Sequence, residues 1–149
     1  MNLDQFLLAV SFAAIPVLFA ITLHEVAHGW AARHFGDRTA EALGRLSLNP
    51  LKHVDPFGTI ILPSILLLSG TGFLFGWAKP VPVNGRNLRH PKRDMAWVAA
   101  AGPGVNFAMA LVWALVLAGA VNGLLGTGRP GRRVLAMAPA GIQVNVALG

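Results

Sequence analysis

The chain contains no cysteine and few charged residues. The lack of cysteine excludes disulfide bonds and thiolate metal sites. It does not indicate whether the protein resides in an oxidising or a reducing compartment. Only 12% of the 149 residues are charged, against roughly 25% in soluble domains, whereas 54% are apolar. A chain of this length has too little interior to hide that much apolar surface from water. The composition therefore predicts a single domain, residues 1–149, that is solvated by lipid.

The chain carries a net charge of +6, and its basic residues lie between the apolar runs. This arrangement favours connectors held at an anionic membrane surface, with membrane lipids as partners and no nucleic acid. The N-terminus has an acid at Asp4 and no basic residue before the first apolar run, unlike a signal peptide. We therefore expect that run to be a retained membrane helix.

Four apolar stretches organise the chain. They are residues 6–23, 57–77, 96–125 and 134–149. About 20 apolar residues are needed to cross a bilayer, and the first and third stretches qualify most cleanly. The first helix is expected to continue towards Phe35. The second is interrupted by Pro63, Gly70 and Gly72, so it either crosses or enters the membrane and returns. The pattern predicts an all-α polytopic membrane protein with three to four membrane segments and short extended segments in its connectors.

Three connectors are rich in basic residues: residues 31–56, 79–94 and 126–133. The positive-inside rule predicts a cytoplasmic position for all three. Four alternating spans cannot satisfy this expectation. A re-entrant second segment would keep the first two connectors on one side but would place the third outside, so the sequence resolves the topology only in part.

A chemical motif lies at the end of the first apolar run, in His24-Glu25-Val26-Ala27-His28. Histidines four residues apart on a helix project from the same face, so both imidazoles can bind one zinc ion. Zinc lowers the pKa of its bound water to about 7, and the neighbouring Glu25 can accept the proton as a general base. The pattern thus predicts His24 and His28 as metal ligands and Glu25 as the catalytic residue.

The surroundings of this motif argue against a chance occurrence. Between Gln5 and Arg33, Glu25 is the only acid and the two histidines are the only other titratable residues. Ionisable residues in a membrane helix are costly and mark functional sites by default. Phe6 and His24 are eighteen residues apart, or roughly 27 Å along a helix axis. The site is therefore expected just inside the cytoplasmic face.

Further segments extend the pattern in a fixed order. They are residues 22–29, 44–58, 75–84 and 101–106. With these segments the chain resembles the site-2 protease family of intramembrane zinc metalloproteases (peptidase family M50), specifically its short bacterial branch. The resemblance implies cleavage of a transmembrane or membrane-adjacent protein substrate. It also implies a multi-pass protein of the bacterial cell membrane, with Zn²⁺ bound near the cytoplasmic side.

The resemblance implies a third zinc ligand as well, an aspartate in a Leu-Asp-Gly motif on a later helix. This sequence contains no Leu-Asp-Gly, and residues 141–149 resemble the start of that helix. We therefore expect a C-terminally truncated core, because a catalytic zinc site normally has three protein ligands. The alternative function is a proteolytically inactive membrane fragment or scaffold. A metal transporter is disfavoured because the second and third apolar stretches contain no titratable residue.

Other polar residues are candidates for weaker roles. His53 and Asp55 could replace the third ligand, although capping or surface roles in the connector are favoured. Four further residues have expected places elsewhere: Asp37 in a turn, His34 on the opposite helix face, His90 in a surface loop, and Asp94 at the start of the third helix.

Asn106 lies within a small-residue run, residues 102–106, that would let the third helix approach the first closely. An asparagine at that depth needs a hydrogen-bond partner. A substrate or transition-state contact and a bond that joins two helices are equally favoured, and both stay open here.

Overall fold

The computed structural model describes residues 3–70, 75–121 and 129–148. Within these ranges every regular element is helical and no β-strand forms, which confirms the predicted all-α class. The α-helices are α1 (Leu3–His34), α2 (Thr39–Ala42), α3 (Leu62–Leu68), α4 (Pro91–Val121) and α5 (Arg129–Leu148). The connectors contain 3₁₀ turns at Pro50–Lys52 and Gly85–Asn87, and a π-helical turn at Pro56–Ile61 leads into α3.

Helix α1 extends past the first apolar run, as predicted, and ends at His34. Gly36 follows with a φ of +114°, a conformation that glycine adopts without a steric penalty. The Asp37 N–H then donates to the Ala32 carbonyl at 2.9 Å, which satisfies one of the last carbonyls of the helix. The whole His24–His28 motif therefore lies inside one continuous helix.

Helix α4 begins at Pro91, with Asp94 in its first turn. The Asp94 carboxylate accepts the His90 N–H at 2.7 Å, and its own N–H donates to the His90 carbonyl. The carboxylate thus caps the first turn of α4, which confirms the predicted place of Asp94 at the start of a helix. Of the residues described, one stretch, Pro91–Gly119 within α4, is long and apolar enough to cross a membrane.

The second apolar stretch does not form one straight helix. It starts as the π-helical turn and continues as α3 to Leu68; residues 71–74 lie outside the described ranges. Trp77 then lies beside Gly58, because its N–H donates to the Gly58 carbonyl at 3.1 Å and its carbonyl accepts from the Thr59 hydroxyl at 2.7 Å. The two ends of this stretch therefore meet.

Helix α5 begins at Arg129, so the prediction of a connector over residues 126–133 is wrong for its last five residues. Arginine favours helices, and Pro130 suits a first helical turn because its missing N–H would have no partner there. The remainder of that connector and the end of the predicted third segment, residues 122–128, lie outside the described part of the chain.

The long helices α1, α4 and α5 pack against one another and form the core. Small residues make the close approaches possible: Ala20, Ala110 and Ala138 are buried. A Cβ atom on Gly141 of α5 would lie 2.6 Å from the Trp113 indole of α4, so these two helices meet at that glycine. Packing through small residues is typical of membrane helices, which approach closely to gain van der Waals contact.

Asp37 joins the end of α1 to the connector that precedes α4. It is buried, and its carboxylate accepts hydrogen bonds from the Thr39 N–H and hydroxyl, the Asn87 amide at 3.0 Å and the Asn84 N–H at 2.6 Å. Burial by itself would raise the pKa of Asp37, but these hydrogen bonds outweigh it and hold the pKa below its usual value. The predicted turn position of Asp37 is confirmed.

The Asp37→Asn variant should lower the free energy of unfolding by about 1–3 kcal/mol near neutral pH, since an amide NH₂ on this buried side chain would then face the N–H donor of Asn84. Because its folded-state pKa is lowered, Asp37 stabilises the fold above the unfolded-state pKa of about 3.9. That contribution is lost as the pH falls through the lower folded-state pKa. Unfolding in detergent at several pH values should show the deficit of the variant shrinking below about pH 4.

Asp55→Asn is the matched control for this experiment. A single oxygen of Asp55 accepts both the Phe57 and Gly58 N–H groups, and asparagine retains that oxygen. Equal losses of unfolding free energy in the two variants would contradict the inference that Asp37 needs both of its carboxylate oxygens as acceptors.

Candidate metal centre

The two histidines of the motif face each other on α1. Their Nε2 atoms lie 3.0 Å apart, and their rings meet edge to face with centroids 4.7 Å apart. Zinc binds imidazole at about 2.0–2.1 Å, so two nitrogens in a tetrahedral site are about 3.3 Å apart. The observed separation fits a shared ion with a small adjustment. The structure therefore brings together the two nitrogens that the sequence predicted as ligands.

The position of His28 also fixes which of its nitrogens is available. Its Nδ1 lies 2.7 Å from the carbonyl oxygen of Val98 on α4. A carbonyl oxygen can only accept, so Nδ1 carries the proton and donates it. The Nε2 lone pair of a neutral His28 is then free to bind a metal, in the usual arrangement for metal-binding histidines.

Asn106 performs the equivalent task for His24. It is fully buried, and its amide nitrogen lies 3.0 Å from His24 Nδ1. Its Oδ1 has no hydrogen-bond partner among the residues that the structure describes. A half-turn of the amide would exchange its nitrogen and oxygen without changing its shape. Oδ1 would then accept the Nδ1 proton of His24, and the His24 Nε2 lone pair would be free for a metal. The donor set thus fits zinc on both imidazoles.

The predicted close approach of the third apolar helix is confirmed at Gly102 of α4. A Cβ atom placed there would lie 2.7 Å from the His24 Nε2 and would overlap the His28 Nε2. Helix α4 therefore has room beside the two imidazoles only because residue 102 lacks a side chain. Sequence reasoning identified the small-residue run but not the position that faces the histidines.

Glu25 lies beside the imidazoles and accepts the N–H of Val81 through Oε2 at 2.7 Å. With His24 it lines a cavity of about 490 Å³, whose other walls are largely apolar. These walls come from α1, the second apolar stretch with the residue that follows it, and the end of α5. The residues are Val17, Ile21, Gly58, Thr59, Pro63, Phe75, Gly76, Trp77, Ala78 and Leu148. A carboxylate beside two imidazoles at an apolar cavity suits a general base that acts on a bound peptide.

The residues that the structure describes contain no cluster of three histidine or carboxylate side chains that could hold a metal. His53 is buried in its connector, where its Nε2 donates to the Ser47 carbonyl at 2.7 Å. Asp55 caps the π-helical turn. His34 lies against Phe35 at the end of α1, and His90 is exposed before α4. The capping role of Asp55 and the surface position of His90 are confirmed, whereas His53 is buried inside its connector and does not lie at the surface.

Comparison with known proteins identifies the family of this chain. Residues 12–147 match the family described as Peptidase family M50. "Putative zinc metalloprotease YwhC" of Bacillus subtilis is 44% identical over 101 residues, which cover 68% of this chain and 42% of that protein. "Putative zinc metalloprotease Rip2" of Mycolicibacterium smegmatis is 34% identical over 96 residues, which cover 64% and 35% respectively.

The matched regions thus span less than half the length of these two relatives. No solved structure gives a significant match. The family match covers most of the chain and includes the His24–His28 motif, the small-residue run of α4 and most of α5. This chain belongs to peptidase family M50.

Proposed function

We propose that this chain is the core of an intramembrane zinc metalloendopeptidase, which hydrolyses peptide bonds in or near transmembrane segments. One observation carries the proposal: the Nε2 atoms of His24 and His28 lie 3.0 Å apart beside Glu25, at the wall of an apolar cavity. Membership of a peptidase family supports it, as do relatives whose names include zinc metalloprotease.

Each residue has a defined task in this proposal. His24 and His28 hold Zn²⁺ through Nε2, and the Val98 carbonyl and Asn106 orient their rings. When bound, zinc supplies Lewis acidity that activates water and polarises the scissile carbonyl. Glu25 accepts the proton of the attacking water on a carboxylate oxygen and then returns it to the leaving amine nitrogen.

Asn106 can serve the substrate as well as His24. When its Oδ1 faces His24, its amide nitrogen is left as a donor in a buried place. Such a donor could bind a substrate carbonyl or the negative charge that develops on it. The substrate contact of Asn106 therefore remains part of the proposal, together with its contact to His24.

The membrane placement rests on the apolar surfaces of the helices. Helix α4 exposes large apolar side chains, among them Phe107, Leu111 and Leu115. A surface of this kind suits lipid better than water. We propose three to four membrane segments in a bacterial cell membrane. The second segment is proposed to be re-entrant, which is supported by the contact of its two ends at Gly58 and Trp77.

We propose a position of the catalytic centre near the cytoplasmic face, which the basic residues of the connectors support. The cavity beside Glu25 then opens among membrane segments, where a transmembrane or membrane-adjacent protein would present its apolar side chains. Its largely apolar walls are consistent with this class of substrate.

The alternative is an inactive fragment or scaffold. It is favoured by two observations: the described residues provide two histidine ligands without a third, and the sequence contains no Leu-Asp-Gly. Two imidazoles bind zinc more weakly than the three ligands of a typical catalytic site.

Metal analysis of the purified chain separates the two functions. We expect about one zinc per chain, lost in His24→Ala because one of the two imidazole ligands is removed. His90→Ala is the matched control, since that histidine is exposed and lies outside the site. A parent chain without zinc, or zinc retained in His24→Ala, would contradict the proposed enzyme. The inactive scaffold would then be the supported function.

A further inference from the structure

The connector Lys79–Val83, called the strap below, contacts the proposed catalytic base through one backbone atom. The Val81 N–H donates to Glu25 Oε2 at 2.7 Å, although the two residues are 56 positions apart. Among the described residues no lysine or arginine forms an ion pair with Glu25. Within the described part of the chain, the second oxygen of Glu25, Oε1, accepts no hydrogen bond. A neutral donor therefore holds one oxygen and leaves the other available.

The sequence of the strap restricts the direction of this donor. Pro80 and Pro82 have no N–H, so Val81 carries the only backbone donor of the three residues. A proline also disfavours the helical conformation of the residue before it, which keeps Val81 extended. The single N–H of this triplet is thus presented at one place and with little conformational freedom.

Hydrogen bonds to the connector that follows α2 are the first anchor of the strap. The Arg45 guanidinium donates to the Lys79 carbonyl at 3.0 Å and the Pro80 carbonyl at 3.3 Å, and it also donates to the Lys52 carbonyl at 2.6 Å. The Lys79 N–H donates to the His53 carbonyl at 2.9 Å. These bonds tie the strap to the connector that follows α2.

The side chain of Val81 provides the second anchor. It is 6% exposed and packs against α1 one turn beyond Glu25. A Cβ atom on Gly29 would lie 2.9 Å from Val81 Cγ1, so the absence of a side chain at Gly29 lets the strap reach the helix. The Val81 residue is therefore held against the same short stretch of α1 that carries Glu25, the acceptor of its N–H.

We propose that the Val81 backbone N–H is a positioning donor for Glu25, and that Arg45 is a positioning residue that acts through the strap. The donor binds Oε2 and restricts rotation of the carboxylate, so that Oε1 stays directed to the water that it must deprotonate. A general base requires placement within hydrogen-bond reach of that water. The catalytic part of this inference rests on the proposed peptidase function.

The test replaces the Val81 amide by an ester. Incorporation of α-hydroxyisovaleric acid at position 81 removes the N–H and keeps the side chain. We expect kcat for a transmembrane peptide to fall about tenfold to a hundredfold, because a misplaced catalytic group costs about that much. KM should stay within about twofold and zinc content should not change, because neither substrate binding nor ligand geometry is altered. An unchanged or higher kcat would overturn the proposal.

The same ester at Val83 is the matched control, because its N–H makes no hydrogen bond in the described part of the chain. It should leave kcat unchanged. If the Val81 ester fails to fold, Arg45→Ala tests the strap, with the exposed Arg38→Ala as control. A selective loss of kcat is expected for Arg45→Ala, and equal effects of the two arginine variants would contradict its positioning role.

A measurement without catalysis separates this inference from the proposed function. Hydrogen exchange at the Val81 amide should be slow in the parent chain and at least about tenfold faster in Glu25→Ala, since exchange requires the hydrogen bond to open. The Val83 amide should exchange rapidly in both. Rapid exchange at Val81 in the parent would overturn the contact itself, whereas absence of cleavage with a protected Val81 amide would count against the peptidase function alone.

Discussion

Glu25→Gln is expected to abolish peptide hydrolysis and to leave zinc binding intact. Glutamine has nearly the same shape, and its amide oxygen can still accept the Val81 N–H that binds Glu25 Oε2 in the parent. It cannot take a proton from water at neutral pH. General-base catalysis typically contributes about 10²–10⁴-fold to a rate, so kcat should fall by at least about 10²-fold.

The measurement combines cleavage of a transmembrane peptide in detergent or nanodiscs with metal analysis of the same preparations. Glu41→Gln is the matched control, because Glu41 lies at the surface of α2 and pairs with Arg33 and Arg38. Its cleavage rate should equal that of the parent. Retained cleavage in Glu25→Gln would exclude Glu25 as the base, and loss of zinc would indicate that Glu25 is a ligand instead.

The second large effect is expected from one added methyl group. Gly102→Ala should displace both imidazoles, because its Cβ would overlap His28 Nε2 and lie 2.7 Å from His24 Nε2. Each imidazole can rotate away from the added methyl group. The two Nε2 atoms would then leave the positions in which we expect them to bind one zinc ion. Loss of a supporting group alone costs about 10–100-fold in metal affinity, and displaced ligands should cost at least as much.

Gly104→Ala provides a control on the same helix. A Cβ at Gly104 meets no atom of the described part of the chain within 4 Å, so zinc affinity should be unchanged. Replacing glycine by alanine in a helix should also raise the free energy of unfolding by about 0.5–1 kcal/mol. Competition with a fluorescent zinc chelator measures both affinities. Equal affinities in the two variants would show that α4 does not limit the space around the imidazoles.

Local sequence predicted the features that depend on a single helix. The facing of His24 and His28 follows from a spacing of four residues, because helix geometry brings such side chains to one face. Asp94 and the turn at Asp37 indicated where helices begin and end, because helix caps and turns have local causes. Pro130 gave a local signal of this kind at the start of α5, and the connector prediction missed it.

Contacts between distant segments were beyond local patterns. The second apolar stretch has the length of a crossing, yet its ends meet at Gly58 and Trp77 because the indole packs on a residue without a side chain. Asn106 was recognised as a buried polar residue that needs a partner, and only the packing of α4 on α1 assigned it to His24. Such pairings depend on which helices approach each other.

The sequence by itself determined which residues are candidates for the chemistry of this protein: two histidines and a glutamate on one apolar helix, in a chain without thiol ligands. Tertiary structure decided how that chemistry is supported. The Val98 carbonyl, the space at Gly102 and the Val81 N–H all come from segments more than fifty residues away. A backbone donor or an absent side chain has no residue-specific signature, so its role emerges only when the packed helices bring it to the site.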